Sequence, residues 1–130
     1  MKTTLLLVED DAEVRAVLAE LLALDGIETI EAENGIQAWD ILSTVDDPAK
    51  LPHLVLSDIA MPKMNGFQLL DKIRLDPRFA KLPVVLTSGN ADRAKADLQA
   101  GAARFEPNAF FAKPFDFGKL AETIRALVAA

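Results

Sequence analysis

Leu54-Val55-Leu56-Ser57-Asp58-Ile59-Ala60-Met61-Pro62 decides the fold. The stretch is an apolar run of strand length that ends on a bare aspartate and then turns. A carboxylate at the C-terminal end of a buried strand stands where open α/β sheets place their chemistry. Three other segments repeat the design. Glu9-Asp10-Asp11 closes the apolar run Leu5-Leu6-Leu7-Val8, Thr87-Ser88 closes Val84-Val85-Leu86, and Lys113 follows Phe110-Phe111-Ala112 and precedes Pro114. Four strand ends thus offer carboxylates, hydroxyls and one ammonium group.

Outward from these strands, helical and strand patterns alternate along the chain, as βαβ units of a parallel sheet require. Val14, Val17, Leu18, Leu21 and Leu22 form one apolar helix face, with Asp11 as N-cap and Asp25-Gly26 as the stop. Ile27 to Ala32 reads as a second strand, and Ile36, Trp39 and Leu42 mark a second helix after Asn34-Gly35. His53 leads into the third strand. Asn65-Gly66 opens a helix carrying Phe67, Leu70 and Ile73, which stops before Pro77. Ala91 to Ala100 is helical by propensity with an alanine-rich face. Asp116 caps a last helix with Leu120, Ile124, Leu127 and Val128 on one side. The central strands lack polar alternation, as expected where both faces are covered. Right-handed crossovers put every strand's C-terminal end on one edge, so Asp10, Asp58, Thr87 and Lys113 converge if the strand order makes them neighbours.

The 130 residues suit one domain over 1–130 with no separate output domain, and 51% hydrophobic content suffices for a core covered on two faces. A net charge of −6 argues against direct binding of nucleic acid or an anionic membrane. The absence of cysteine excludes disulfides and thiolate metal sites. Neither a signal peptide nor a membrane-spanning run is legible, so a soluble, cytoplasmic protein is expected.

Carboxylates brought together repel and require a neutralising partner. Mg²⁺ takes oxygen ligands, keeps several waters and commonly uses one or two carboxylates plus phosphate, and Mn²⁺ substitutes on the same ligands. Asp10 and Asp58 are the expected direct ligands, Glu9 acts through a bound water, and the Ala60 carbonyl completes the set. Asp11 is left to capping. Asp58 is the expected nucleophile, since carboxylates form aspartyl-phosphate intermediates. Lys113, the Thr87 hydroxyl and Ser88 then meet the phosphoryl oxygens, whose charge must be neutralised during transfer. The Lys113-Pro114 bond is a candidate cis peptide.

Leu6, Val8 and Glu9-Asp10-Asp11, Ser57-Asp58-Ile59-Ala60-Met61-Pro62 with Asn65-Gly66, Leu86-Thr87-Ser88 and Ala112-Lys113-Pro114-Phe115 together resemble the receiver domain of two-component response regulators. The resemblance spans essentially the whole chain. It implies a flavodoxin-like (βα)5 fold, a three-layer sandwich with a five-stranded parallel sheet of order 2-1-3-4-5. It implies that Asp58 accepts a phosphoryl group from a histidine kinase or a histidine phosphotransfer protein, that Glu9 and Asp10 bind Mg²⁺, and that Thr87 and Lys113 contact the phosphoryl group. It also implies that Thr87 and Phe110 act as a switch that changes the face of the fourth helix, fifth strand and fifth helix toward a downstream protein target. On this reading the chain is a monomer or a weak dimer through that face, and it catalyses only its own phosphorylation and dephosphorylation. Two competing readings are a Mg²⁺-dependent phosphatase with Asp58 as nucleophile, which lacks a second acid because Ala60 occupies the obvious position, and an interaction module that is never phosphorylated.

Two features depart from the family pattern. Gly101 to Ala109 is a few residues longer than usual, the extra material being Arg104-Phe105-Glu106-Pro107-Asn108. It either reshapes partner binding or packs Phe105 against the weak fourth helix. Ala60 and Gly89, two residues beyond Asp58 and Thr87, offer no side chain to position a hydrolytic water.

Overall fold

The computed structural model describes residues 2–129; Met1 and Ala130, the ends of the expected domain, lie outside them. The elements run β1 (Thr3–Val8), α1 (Ala12–Leu24), β2 (Ile27–Ala32), α2 (Gly35–Ser43), β3 (Leu54–Asp58), α3 (Gly66–Leu75), β4 (Val84–Ser88), α4 (Ala91–Gln99), β5 (Ala109–Ala112) and α5 (Phe117–Ala129). A short 3-10 turn, Pro48–Lys50, precedes β3. All strand pairs are parallel, and the order is β2-β1-β3-β4-β5. The chain therefore starts in the sheet, steps to one edge, and returns past β1 to build the other half. The change of direction falls between β1 and β3, where Val8 pairs with Ser57, and one strand further Asp58 pairs with Thr87.

The pleat sorts the strand residues into two cores. Leu6, Val8, Val55, Val84 and Leu86 pack with Leu42 of α2, Phe67, Leu70 and Ile73 of α3 and Ala94 of α4. Leu5, Leu7, Leu54, Leu56 and Val85 pack with Leu18 and Leu22 of α1 and Leu120 and Ile124 of α5. Helices thus cover both faces, which explains why β1, β3 and β4 carry no polar alternation. The caps agree with the sequence: Asp11 Oδ1 accepts from the Glu13 and Val14 N–H groups, and Gly26 takes the left-handed conformation at φ +80°. Asn65 and Gln68 form a reciprocal capping box on α3, and Asp116 Oδ1 accepts from the Lys119 N–H. His53 does lead into β3, its Nδ1 accepting from the Thr4 N–H at 3.0 Å.

Two helix faces differ from expectation. Of the five apolar residues on α1, only Leu18 and Leu22 are buried; Val14, Val17 and Leu21 are exposed, Val17 at 54%. On α2, Ile36 is exposed, and Ala38 joins Leu42 in the core instead. A helix lying on a sheet buries a stripe about 100° wide, and the apolar arc of α1 exceeds that stripe. The edge strands also differ from the central ones. β2 exposes Glu28 and Glu31, and all four residues of β5 keep some solvent contact. Among the described residues, no helix is long and apolar enough to cross a membrane.

Candidate phosphoryl and metal site

The C-terminal ends of β1, β3, β4 and β5 meet on one edge, with Glu9, Asp10, Asp58, Thr87, Ser88 and Lys113 all there. Asp58 is 9% exposed, and its Oδ1 accepts the Ile59 N–H at 2.9 Å. The strand end is held from below by Gly66. A Cβ there would lie 2.7 Å from the Asp58 carbonyl oxygen and 2.9 Å from the Ile59 Cα, so α3 starts against this backbone only because residue 66 is glycine. The Gly66 N–H donates to the Ile59 carbonyl, and the Ser57 hydroxyl donates to the Asp58 carbonyl.

Glu9, Asp10 and Asp58 each present a carboxylate oxygen within 4.8 Å of the others. Glu9 is more buried than expected for a water-mediated ligand, at 3% exposure. One of its oxygens accepts from Lys113 Nζ at 2.8 Å and the other from the Asp11 N–H at 3.3 Å. Lys113 Nζ lies farther from Asp58, 3.6 Å from Oδ2, so the ammonium is committed chiefly to Glu9. The Lys113-Pro114 peptide is cis.

The electrostatics follow from this geometry. Burial raises the Asp58 carboxyl pKa; Lys113 and the Ile59 N–H pull it down, and Asp10 adds to the rise. Asp10 is raised too, first by burial and then by Glu9. Burial opposes the Lys113 cation, but the Glu9 hydrogen bond and the charges of Asp58 and Glu9 outweigh it and hold its pKa above the ordinary value. Three carboxylates against one ammonium leave an excess of negative charge, presented through oxygen donors that suit a hard divalent cation.

Thr87 is 3% exposed and lies beside Asp58 across the β3–β4 pair. Ser88 Oγ accepts from the Asn90 N–H at 3.0 Å, and Asn90 caps α4 by accepting from the Arg93 N–H. The Lys113 N–H donates to the Ser88 carbonyl, tying the end of β5 to β4. Phe110 is half-buried and packs into the core on the α2–α3–α4 side, while Phe111 faces the opposite core. Ala60 and Gly89 border a cleft of about 660 Å³ between the β3–α3 turn and α4, and a Cβ added at Gly89 would touch nothing within 4 Å.

Sequence reasoning did not find the contacts of the extended α4–β5 segment. Asp71 on α3 accepts from the Arg104 N–H at 2.9 Å and the Phe105 N–H at 3.2 Å. Arg74 donates to the Leu82 carbonyl and to Asn108 Oδ1, which also accepts the Val84 N–H. Phe105 packs into the α3-side core. Asp71 lies 33 and 34 positions from Arg104 and Phe105, and no local pattern marks the pairing.

The family model of the response regulator receiver domain matches residues 5–125. The chain is 38% identical to response regulator Rre1 of a Synechocystis strain, over 97% of its own length and 52% of that protein, so it spans about half of this relative. It is 32% identical to chemotaxis protein CheY1 of Helicobacter pylori, over 95% of both chains. Among solved structures it resembles response regulator protein TrrA of Thermotoga maritima, described in complex with Mg²⁺ and BeF, at 27% identity and a TM-score of 0.78, covering 96% of this chain and 98% of that one. The fold, the strand order and these matches agree: the chain belongs to the response regulator receiver domain family.

Proposed function

We propose that the chain takes a phosphoryl group on Asp58 from the phosphohistidine of a sensor kinase or phosphotransfer protein. The convergence of Glu9, Asp10 and Asp58 within 4.8 Å, with Lys113 among them, carries this reading. An Asp58 carboxylate oxygen attacks phosphorus, the P–N bond to the imidazole breaks, and the released nitrogen keeps the electron pair. Lys113, Thr87 and Ser88 stand at the same edge to meet the phosphoryl oxygens, and the Ser88 oxygen is held by the Asn90 N–H. Glu9, Asp10, Asp58 and the Ala60 carbonyl would hold Mg²⁺, or Mn²⁺ in its place. Bound there, the ion supplies positive charge where the transferring group builds negative charge. That the Thermotoga relative forms a complex with Mg²⁺ and BeF supports a Mg²⁺ role here.

Phosphorylation would draw the Thr87 hydroxyl toward Asp58 and let the half-buried Phe110 ring turn inward. The balance between two surfaces at α4–β5–α5 then shifts, and a downstream protein reads the change. The chain turns over no separate substrate on this reading, and it works in the cytoplasm as a monomer or weak dimer. Intact-mass measurement after incubation with acetyl phosphate tests the chemistry. A gain of one phosphoryl group that needs both Mg²⁺ and Asp58 is expected. A gain that persists in Asp58→Asn, or neither phosphoryl uptake nor Mg²⁺-dependent beryllofluoride binding in the unaltered protein, refutes it.

A further inference from the structure

Arg93 is the feature of the cleft that the phosphoryl site leaves unused. It stands in the first turn of α4 and lines the 660 Å³ cleft beside Ser88 and Gly89, where it is the single cation among the lining residues. Its partner is Asp97, one turn along the same helix, with Nε at 3.3 Å and the side chain 76% exposed. An exposed ion pair of this kind holds its arginine weakly, so the guanidinium is free to be recruited. Asp10 and Asp97 are the acids on the same lining, while residues 60 and 89 are alanine and glycine and add no charged or bulky side chain there.

Phosphoryl transfer runs in line, with the leaving group departing on the side away from the nucleophile. The cleft opens beside the ends of β1, β3 and β4, on the sheet edge that carries Asp58, and offers room for a departing group on that side. We propose that Arg93 receives the leaving group of small phosphodonors and makes the chain favour acyl phosphates, whose leaving group is a carboxylate. This rests on Asp58 being the phosphoacceptor. With acetyl phosphate the P–O bond to the acyl group breaks, the electron pair stays on oxygen, and acetate departs as an anion that needs no proton. The Arg93 guanidinium matches that planar, two-oxygen anion through paired N–H donors. With phosphoramidate the P–N bond of an already protonated nitrogen breaks and neutral ammonia leaves. Arg93 gives no help there, and it repels the bound donor's cationic nitrogen.

The ratio of the two phosphorylation rates in one protein sample tests this, because folding, metal occupancy and Asp58 reactivity cancel in it. Rates are read by quenched intact-mass spectrometry at fixed Mg²⁺ and low salt. Arg93→Ala should lower the acetyl phosphate to phosphoramidate ratio about threefold to tenfold, and Arg93→Glu should lower it further. Arg93→Lys should keep part of the preference. Lys95→Glu is the control: Lys95 is exposed on α4 but does not line the cleft. An unchanged ratio in Arg93→Ala, or an equal fall in Lys95→Glu, overturns the role of Arg93 while leaving Asp58 as acceptor. If the unaltered protein takes no phosphoryl group from either donor, this inference is overturned, and the acceptor reading falls with it only if Mg²⁺-dependent beryllofluoride binding is absent as well.

Discussion

Asp10→Asn should make the metal-free protein more stable. The Asp10 carboxylate sits within 4.8 Å of those of Glu9 and Asp58. At that separation each like-charge pair costs about 1 kcal/mol in a water-like dielectric. Asp10 is exposed, so solvent screens both terms, and Lys113 offsets part of the remainder. A net relief of about 1 kcal/mol is left, which for a domain of this size raises Tm by about 3 °C. The assay is thermal unfolding in EDTA at pH 7 and low salt, followed by calorimetry, with the gap expected to shrink at about 1 M salt. In Mg²⁺ the order should reverse, because at about ten times Kd the unaltered protein gains about 1.4 kcal/mol and the variant gains little. The pH dependence has a definite sign. The native Asp10 carboxyl titrates above its ordinary value of 3.8, chiefly through burial and then through Glu9, so the native state retains a proton that the unfolded chain has lost. Its contribution to stability is present at low pH and is lost as pH rises from 3.8 through the native value, and the advantage of the variant opens over that window. A lower Tm for Asp10→Asn in EDTA would show that the cluster is not held under repulsion, and the same rank order with and without Mg²⁺ would show that Asp10 does not couple metal binding to stability.

Three further outcomes follow from the geometry. Gly66→Ala forces a Cβ to within 2.7 Å of the Asp58 carbonyl, and because both nearest atoms are backbone it should cost about 2 kcal/mol and slow phosphoryl uptake; unchanged urea midpoint and uptake rate would contradict the close approach. Asp71→Ala removes the acceptor for two backbone N–H groups, so hydrogen exchange at Arg104 and Phe105 should quicken and stability should fall by about 1 kcal/mol; unaltered exchange would mean that the α4–β5 segment holds itself. Ala60→Asn combined with Gly89→Glu places polar side chains on the rim of the cleft and should change the dephosphorylation rate several-fold, followed by loss of the added phosphoryl mass; an unchanged rate would mean that these positions do not govern the hydrolytic water.

The fold was legible because its central strands are short, apolar on both faces and punctuated by caps. Asp11, Gly26, Asn65 and Asp116 all stop or start helices where their side chains or φ angles require. Periodicity was a weaker guide to which side of a helix is buried. Val14, Val17 and Leu21 satisfy the helical spacing as well as Leu18 and Leu22 do, and only the width of the sheet beneath α1 separates them. The two cores were likewise hidden in runs such as Leu5-Leu6-Leu7-Val8, where no contrast in residue type reveals that alternate residues serve opposite layers.

The site was legible for a different reason. A parallel sheet with right-handed crossovers sends every strand's C-terminal end to one edge, so four chemically distinct termini share that edge and meet if the strand order makes them neighbours. The order β2-β1-β3-β4-β5 sharpens this by setting β1 next to β3 and β3 next to β4, which brings the acidic turn after β1, Asp58 and Thr87 onto adjacent strands. What the sequence left open was how the charges are divided. Glu9 looks like the most peripheral of the three acids, since its side chain is the longest and its position precedes Asp10. The backbone instead turns it inward to 3% exposure, where a carboxylate must have partners, and Lys113 with the Asp11 N–H are the groups within reach. Asp10 then becomes the acid left facing the cleft, and Asp58 receives only the longer contact from Lys113. A cation arriving at this edge therefore finds Asp10 without an ammonium contact, Asp58 with the looser one at 3.6 Å and Glu9 already engaged at 2.8 Å. This division follows from burial, and it predicts that loss of Asp10 should weaken Mg²⁺ binding more than loss of the lysine-paired Glu9.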